Sequence, residues 1–385
     1  MRIALITSSF LPKVGGAEFV VHHLARQWHK QGHEVCVINP GTSEATHAEG
    51  AYTVKQLRLL RGTSRFGYHR FPWGWDARRK LERLLSEFQP DFISAHFGYP
   101  IGVWLSQMRP VPKYIVTCHG GEITPSSLGL RSRFRIDALL REALSSSVGA
   151  IAISRHARFL MEGLGVAPSK ILDIPNGVDV DRFAKKVEVD IRGRLGVPKD
   201  SIMILSVGRE RPEKAFDTGI KAFSRLVRMN CDVHYVLLGR GTDRWGPLAA
   251  DLGVEDRVIF WDDLYGEELV GAYQQADIFF SPSDQETLAL VVLEGMAAGL
   301  PQVVTNVSGS QDVVETGCNG IVVEPGDSEA MAKALYRLVS DHSLRSRMGV
   351  ENANRSTKYS WDHVSRLYLE HAPRQRFPAG VDLTA

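Results

Sequence analysis

The chain has 385 residues, 44% of them hydrophobic and 23% charged, with a net charge of +2 and four cysteines. That length suits two domains with separate cores, and the ordinary composition excludes a disordered, collagenous or disulfide-stapled chain. Cys36, Cys118, Cys231 and Cys318 lack metal or redox spacing, no apolar run reaches membrane-spanning length, and the N-terminus is too short for a signal peptide, so the expected setting is the reducing cytoplasm.

The small net charge hides an asymmetry. Residues 1–178 carry 22 Lys and Arg against 13 Asp and Glu, a net of +9, and the remainder carries −7. Within the first half, residues 55–83 hold nine basic and two acidic residues, interleaved with Phe66, Tyr68, Phe71, Trp73 and Trp75. One reading is a solvated basic helix after a loop. The sharper one is a surface for an anionic partner, a membrane leaflet or a lipid-linked acceptor. No recognition motif accompanies the charge, which argues against nucleic acid.

Arg2–Thr7 reads as a buried strand, Ala17–Gln31 as an amphipathic helix stopped by Gly32, and His33–Asn39 as the next strand. This is a βαβ unit and implies a parallel sheet. Gly15-Gly16 lies in the loop before the helix, where a ligand can approach the backbone and the helix start favours an anion. G-x-G-x-x-G is missing and the second strand ends in Asn39-Pro40 with no acidic residue for a ribose, which counts against a dinucleotide enzyme. Further strands are expected at Thr53–Leu59, Phe92–His96, Tyr114–Cys118 and Ala150–Ser154. Helices fit at Asp76–Phe88, Ile101–Met108 and Arg133–Ser145. His119 and Glu122 follow the fifth strand, at the carboxyl end where parallel sheets place ligands. Asn176-Gly177 is a turn signal beside the change in charge balance.

The second half repeats the alternation. Strands are expected at Ser201–Gly208, Val233–Gly239, Val258–Trp261, Asp277–Phe280, Pro301–Thr305 and Gly320–Glu324, with helices at Phe216–Met229, Glu267–Gln275, Ser328–Ser340 and Ser343–Thr357. Arg209 and Lys214 sit between a strand end and a helix start, a placement suited to phosphate. Gly239 and Gly241 allow a nucleoside to come close to the backbone. Ser281–Gly299 carries Glu286 and Glu294; on a continuous helix their eight-residue separation would span about 12 Å, the reach of a sugar nucleotide.

Glu286-x7-Glu294, with Pro282-Ser283 ahead and Ala297-x-Gly299-x-Pro301 behind, resembles the nucleotide-sugar motif of the retaining family-4 glycosyltransferases. The resemblance runs from Arg2 to about Trp361. It implies the GT-B architecture, two Rossmann-like α/β domains facing each other across a cleft. Domain boundaries follow at 1–176 and 177–359, a helix near 360–372 crosses back to the first domain, and 373–385 is a tail. It implies a nucleotide-sugar donor, with a UDP-sugar ahead of a GDP-sugar, and a glycan or lipid-linked acceptor. By resemblance, His119 faces the sugar, Arg209 and Lys214 neutralise the leaving diphosphate, Glu286 binds sugar hydroxyls and Glu294 the ribose. Gly15, Gly16 and the amides of Thr287, Leu288, Ala289 and Leu290 lie near the phosphates, and Glu18 and Glu122 lie on the acceptor side. No cofactor or metal is implied. The sequence departs from the family pattern at Ala215 and Ala289, where glycine is usual, and at Trp261. The rival readings are a sugar-nucleotide epimerase or hydrolase, and a sugar-nucleotide-binding protein without turnover.

Overall fold

The computed structural model describes residues 1–12, 15–40, 52–60, 68–124, 135–286, 290–307, 309–373 and 377. It divides into two compact units, Met1–Asn176 with the segment from Trp361, and Gly177–Ser360.

The first unit is built on a seven-stranded sheet: β1 (Arg2–Thr7), β2 (Glu34–Asn39), β3 (Thr53–Gln56), β4 (Phe92–His96), β5 (Ile115–Cys118), β6 (Gly149–Ala152) and β7 (Ile171–Asp173). Every pairing is parallel, in the order β3-β2-β1-β4-β5-β6-β7. The central strands are apolar almost throughout because helices cover both faces; Ile3, Ala4, Leu5 and Ile6 are wholly buried. β7 is a strand that the sequence reading lacks. It has only three residues, held between Pro168 and Pro175, so no alternating pattern develops. Helix Arg155–Gly163 is likewise new. Ser154 caps it, its Oγ accepting from the Ala157 N–H at 3.1 Å. Where a helix is expected at Ile101–Met108, a π-helical turn at Gly98–Gly102 precedes a short helix at Val103–Ser106.

The C-terminal helix Trp361–Glu370 belongs to this unit and packs on helix Gly16–Lys30. Trp28 Nε1 donates to the Ser365 carbonyl at 3.1 Å and Gln31 Nε2 to Ser365 Oγ at 2.9 Å. Tyr368 reaches the sheet and its hydroxyl pairs with Thr117 Oγ1 at 3.1 Å.

The second unit repeats the plan with six parallel strands: β8 (Ile202–Val207), β9 (Val233–Leu238), β10 (Val258–Trp261), β11 (Ile278–Ser281), β12 (Gln302–Thr305) and β13 (Gly320–Val323). Their order is β10-β9-β8-β11-β12-β13. In each sheet the winding reverses beside its first strand, between β1 and β4 and between β8 and β11. On the two sides of such a point the connections run to opposite faces of the sheet, which leaves a crevice at the carboxyl ends of the strands.

At one of these ends, chain meets chain. Gly239 has φ +146°, and a Cβ placed there would lie 2.1 Å from the Gly208 carbonyl oxygen. The glycine is required by the packing of the loop after β9 against the loop after β8. Ala215 has the opposite problem, holding a left-handed conformation (φ 48°, ψ 40°) with a side chain. Gly239→Ala should therefore lower stability by at least ~2 kcal/mol, and Ala215→Gly should raise it by about 1 kcal/mol, both read by chemical denaturation. Equal stability of all three proteins would contradict this account of the two loops.

Candidate functional site

In the second unit the loops after β8 and β11 converge. Gly208–Lys214 leaves β8 and ends in a 3-10 turn, Pro212–Lys214. The Glu213 carbonyl accepts from the Asp284 N–H at 2.9 Å, which ties this loop to the one leaving β11. Thr305 Oγ1 donates to the Ser283 carbonyl at 2.5 Å and fixes the second loop from the other side. Lys214 Nζ and Glu286 Oε1 then form a direct ion pair. The two side chains are 19% and 13% exposed, so water screens the pair little. Ser283 Oγ donates to the same Oε1 at 3.2 Å.

Glu286 is not on the helix. The described helix is Leu290–Ala297, so Glu286 lies ahead of it and Glu294 in its second turn. The continuous-helix estimate of their spacing does not apply. Thr287, Leu288 and Ala289 lie outside the described residues; Leu290 is the first helical residue described. Glu294 Oε2 accepts from the Tyr273 hydroxyl at 2.7 Å. Burial raises the Glu294 carboxyl pKa, against the pull of Tyr273 and Arg182 in the other direction. Arg209 is exposed just beyond β8. Gly241 (φ +81°) supports the same loop pair as Gly239, its Cβ position 3.4 Å from Glu210 Cβ.

In the first unit Gly15 and Gly16 begin helix Gly16–Lys30, and the Gly15 carbonyl accepts from the Phe19 N–H at 3.1 Å. Glu18, in the first turn, is buried. His119 follows β5 and is, as a residue, partly exposed. Its backbone N–H donates to Glu122 Oε1 at 3.1 Å, closing a turn that also contains the Ile123 N–H bond to the Gly120 carbonyl at 2.8 Å. Glu122 is buried too. Behind His119 stands His96, the last residue of β4, with Nδ1 3.0 Å from His119 Nε2.

Residues 14–182 match the model of Glycosyltransferase Family 4, and residues 188–355 match that of Glycosyl transferases group 1. The chain belongs to glycosyltransferase family 4. It is 28% identical to an uncharacterized glycosyltransferase of Methanocaldococcus jannaschii, over 95% of this chain and 96% of the relative. It is 29% identical to the phosphatidyl-myo-inositol mannosyltransferase of Mycolicibacterium smegmatis, over 95% and 92%. The D-inositol 3-phosphate glycosyltransferase of Stackebrandtia nassauensis is 32% identical over 55% of this chain, and the match spans only half of that relative. Among solved structures, a glycosyltransferase from Rickettsia africae aligns with a TM-score of 0.80 at 18% identity, covering 96% of this chain and 97% of that one. Anabaena HepE in complex with UDP aligns at 0.78 and 19%, covering 96% and 99%. These likenesses give the GT-B fold.

Three residues of this family-4 glycosyltransferase escaped the sequence reading: His96, Tyr273 and Tyr368. Each lies inside an apolar strand or helix pattern and reads as core, and only tertiary contact reveals its polar partner. Among the described residues no group of three His, Cys, Asp or Glu side chains is arranged to hold a metal ion. Asp263, half of the acidic pair Asp262-Asp263, accepts from Arg240 (N–H at 3.1 Å, Nη2 at 3.2 Å) and from the Tyr265 hydroxyl at 3.1 Å.

Burial disfavours the imidazolium form of both site histidines. His119 is pushed down to about 4 and His96 well below its ordinary value of 6.5, where the neighbouring His119 adds to the burial effect. The unfolded chain then binds more protons than the folded one between about pH 6.5 and 4, so these rings stabilise the fold above that window and the contribution is lost as pH falls through it. Glu294, whose carboxyl is raised, acts in the opposite direction. The thermal midpoint should fall as pH is lowered from 6.5 to 4, and His96→Asn should flatten that decline. An unchanged slope in the variant would mean that the His96 ring is hydrated.

Proposed function

We propose that this glycosyltransferase moves a sugar from a nucleoside diphosphate sugar to a glycan or lipid-linked acceptor with retention at the anomeric carbon and without a metal ion. The observation that carries the reading is the Lys214–Glu286 pair at the β8–β11 crossing point. A sugar diphosphate offers a partner to each member: phosphate oxygens for the ammonium and sugar hydroxyls for the carboxylate. Binding exchanges one ion pair for two sets of charge-assisted bonds, so neither charge is left buried alone. Lys214 then meets the charge that grows on the diphosphate as the glycosidic bond breaks, and Arg209 adds a second cation. Such preorganised stabilisation needs no separate acid at the leaving group. Glu294, held by Tyr273, accepts from the ribose hydroxyls. His119 is assigned to the sugar, and Glu18 and Glu122 to the acceptor.

A UDP-sugar is the favoured donor and a GDP-sugar the second. The UDP and UDP-glucose complexes of HepE support the first, and the mannosyltransferase relative is a reminder of the breadth of sugars in the family. The names of the inositol-directed relatives point to phosphorylated or lipid-linked polyol acceptors, in keeping with the basic first half. Epimerase, hydrolase or pure binding activity remains the alternative to transfer in this site.

A screen of UDP-, GDP- and ADP-sugars by thermal shift and by turnover, with and without EDTA, tests the donor. One donor is expected to stabilise the protein and be consumed equally in EDTA. Glu286→Ala and Lys214→Ala should each cost about 10²–10³ in turnover while the fold persists. Wild-type turnover in either variant, or turnover abolished by EDTA, would sink the corresponding part of the reading.

Helix Trp73–Phe88 carries Arg78, Arg79, Lys80 and Arg83 of the basic segment; residues 61–67 lie outside the described residues. Phe71 is 80% and Trp75 47% exposed, with the Arg79 guanidinium over the Trp75 ring at 4.9 Å. Aromatic rings beside cations suit an anionic leaflet. No described helix is long and apolar enough to cross a membrane. Binding to vesicles containing phosphatidylserine is expected, and Trp75→Ala with Arg79→Gln should weaken it severalfold. Equal sedimentation of both proteins with neutral and anionic vesicles would remove the membrane from the picture.

A further inference from the structure

His119 can meet a substrate as a hydrogen-bond donor or as an acceptor, and the ring beneath it decides which. His96 is wholly buried. Its plane lies 18° from that of His119, with Nδ1 3.0 Å from His119 Nε2. Tyr368 stacks nearly parallel to His96 at 10° and is itself anchored to Thr117. His96 Nε2 lies 3.4 Å from the hydroxyl of Ser94, which is also wholly buried. The result is a short chain of polar groups, Ser94, His96 and His119, of which only the last has access to solvent.

Both rings are neutral in this setting, so each carries one N–H, and the bond between them uses one of these protons. Two arrangements are available. If His119 Nε2 donates to His96 Nδ1, then His96 Nε2 donates to Ser94 Oγ. The Ser94 proton is left without an acceptor among the described residues, and a buried unsatisfied hydroxyl costs about 1–3 kcal/mol. If Ser94 donates to His96 Nε2, then His96 Nδ1 donates to His119 Nε2 and every buried proton has an acceptor. The remaining N–H of the chain is then His119 Nδ1–H, at the open end.

We propose that His96 is a positioning residue that holds His119 in its Nδ1–H form, so that His119 presents a hydrogen-bond donor to an oxygen of the donor sugar. The tautomer of a histidine is set by the bond that its other nitrogen makes, and here that bond is internal and rigid. The backbone agrees with a demanding geometry. Phe97, the residue after His96, is a non-glycine residue at φ +77°, and its ring lies 4.9 Å from His119. Such a conformation costs on the order of 1–3 kcal/mol and persists where the surroundings enforce it. The catalytic half of the proposal rests on the reading of His119 as a sugar contact; the tautomer does not.

Two measurements on the full chain separate these. Long-range ¹H–¹⁵N correlation on ¹⁵N-histidine protein reports which nitrogen of His119 is protonated, without any substrate. Turnover of the donor found in the screen is then compared for His96→Phe, His96→Asn and His119→Ala. The expected spectrum shows His119 protonated at Nδ1, with the proton moved to Nε2 in His96→Phe. His96→Phe keeps a ring against Tyr368 and should lose about 10- to 100-fold in kcat, by analogy with metal-bound histidines that lose their supporting partner, with little change in donor KM. His96→Asn, whose amide can replace the Nδ1–H donor, should recover most of that loss. A wild-type His119 protonated at Nε2 overturns the proposal. So does a fully active His96→Phe beside an inactive His119→Ala. A fully active His119→Ala overturns the sugar contact alone, and the spectrum still decides the tautomer. If His96→Phe does not fold, the wild-type spectrum and His96→Asn carry the test.

Discussion

A cation and a carboxylate held together out of water are the feature on which the second unit turns. Removing two charges from water is expensive, and a partly buried pair survives only where loops on both sides hold it. Lys214 comes from the loop after β8 and Glu286 from the loop after β11, and the Asp284 N–H bond to the Glu213 carbonyl joins them. Core packing does not call for this pair. Its position at the reversal of strand order is where such sheets place ligands, and the chain belongs to a family of glycosyltransferases.

The same economy of form appears in the first unit. Its sheet reverses between β1 and β4, and the residues that leave β4 and β5 meet as Phe97 and His119. The C-terminal helix supplies Tyr368 as the support under His96. A segment some 270 residues away in sequence therefore lies against the His96 ring. The helix is anchored by bonds to Trp28, Gln27 and Gln31, so its truncation would loosen the site as well as the core.

Departures from the family pattern acquire physical content in the structure. Ala215 adopts the left-handed conformation that a glycine would accept freely, so the loop keeps its shape at a cost in strain rather than changing course. Gly239 was read as an approach for a nucleoside, and its lack of a side chain is demanded first by the neighbouring Gly208 carbonyl. The packing of the chain itself requires the glycine, with or without a ligand.

From the sequence alone, the α/β alternation, the parallel sheets, the family, the loops that carry Arg209, Lys214 and Glu286 and the helix that carries Glu294 are all legible. Parallel strands buried on both faces are long apolar runs, and loops with fixed charges between them stand out. The short edge strand β7 did not, because three residues between prolines carry no period. His96, Tyr273 and Tyr368 did not either. Each occupies a position that periodicity assigns to the core, and its polar contact is with a partner 23, 21 or 251 residues away in the chain. Sequence pattern records which side of a strand or helix faces inward. Which polar atom waits there is decided only when distant segments are packed together, because a hydrogen bond depends on distances of a few tenths of an ångström that no spacing along the chain encodes.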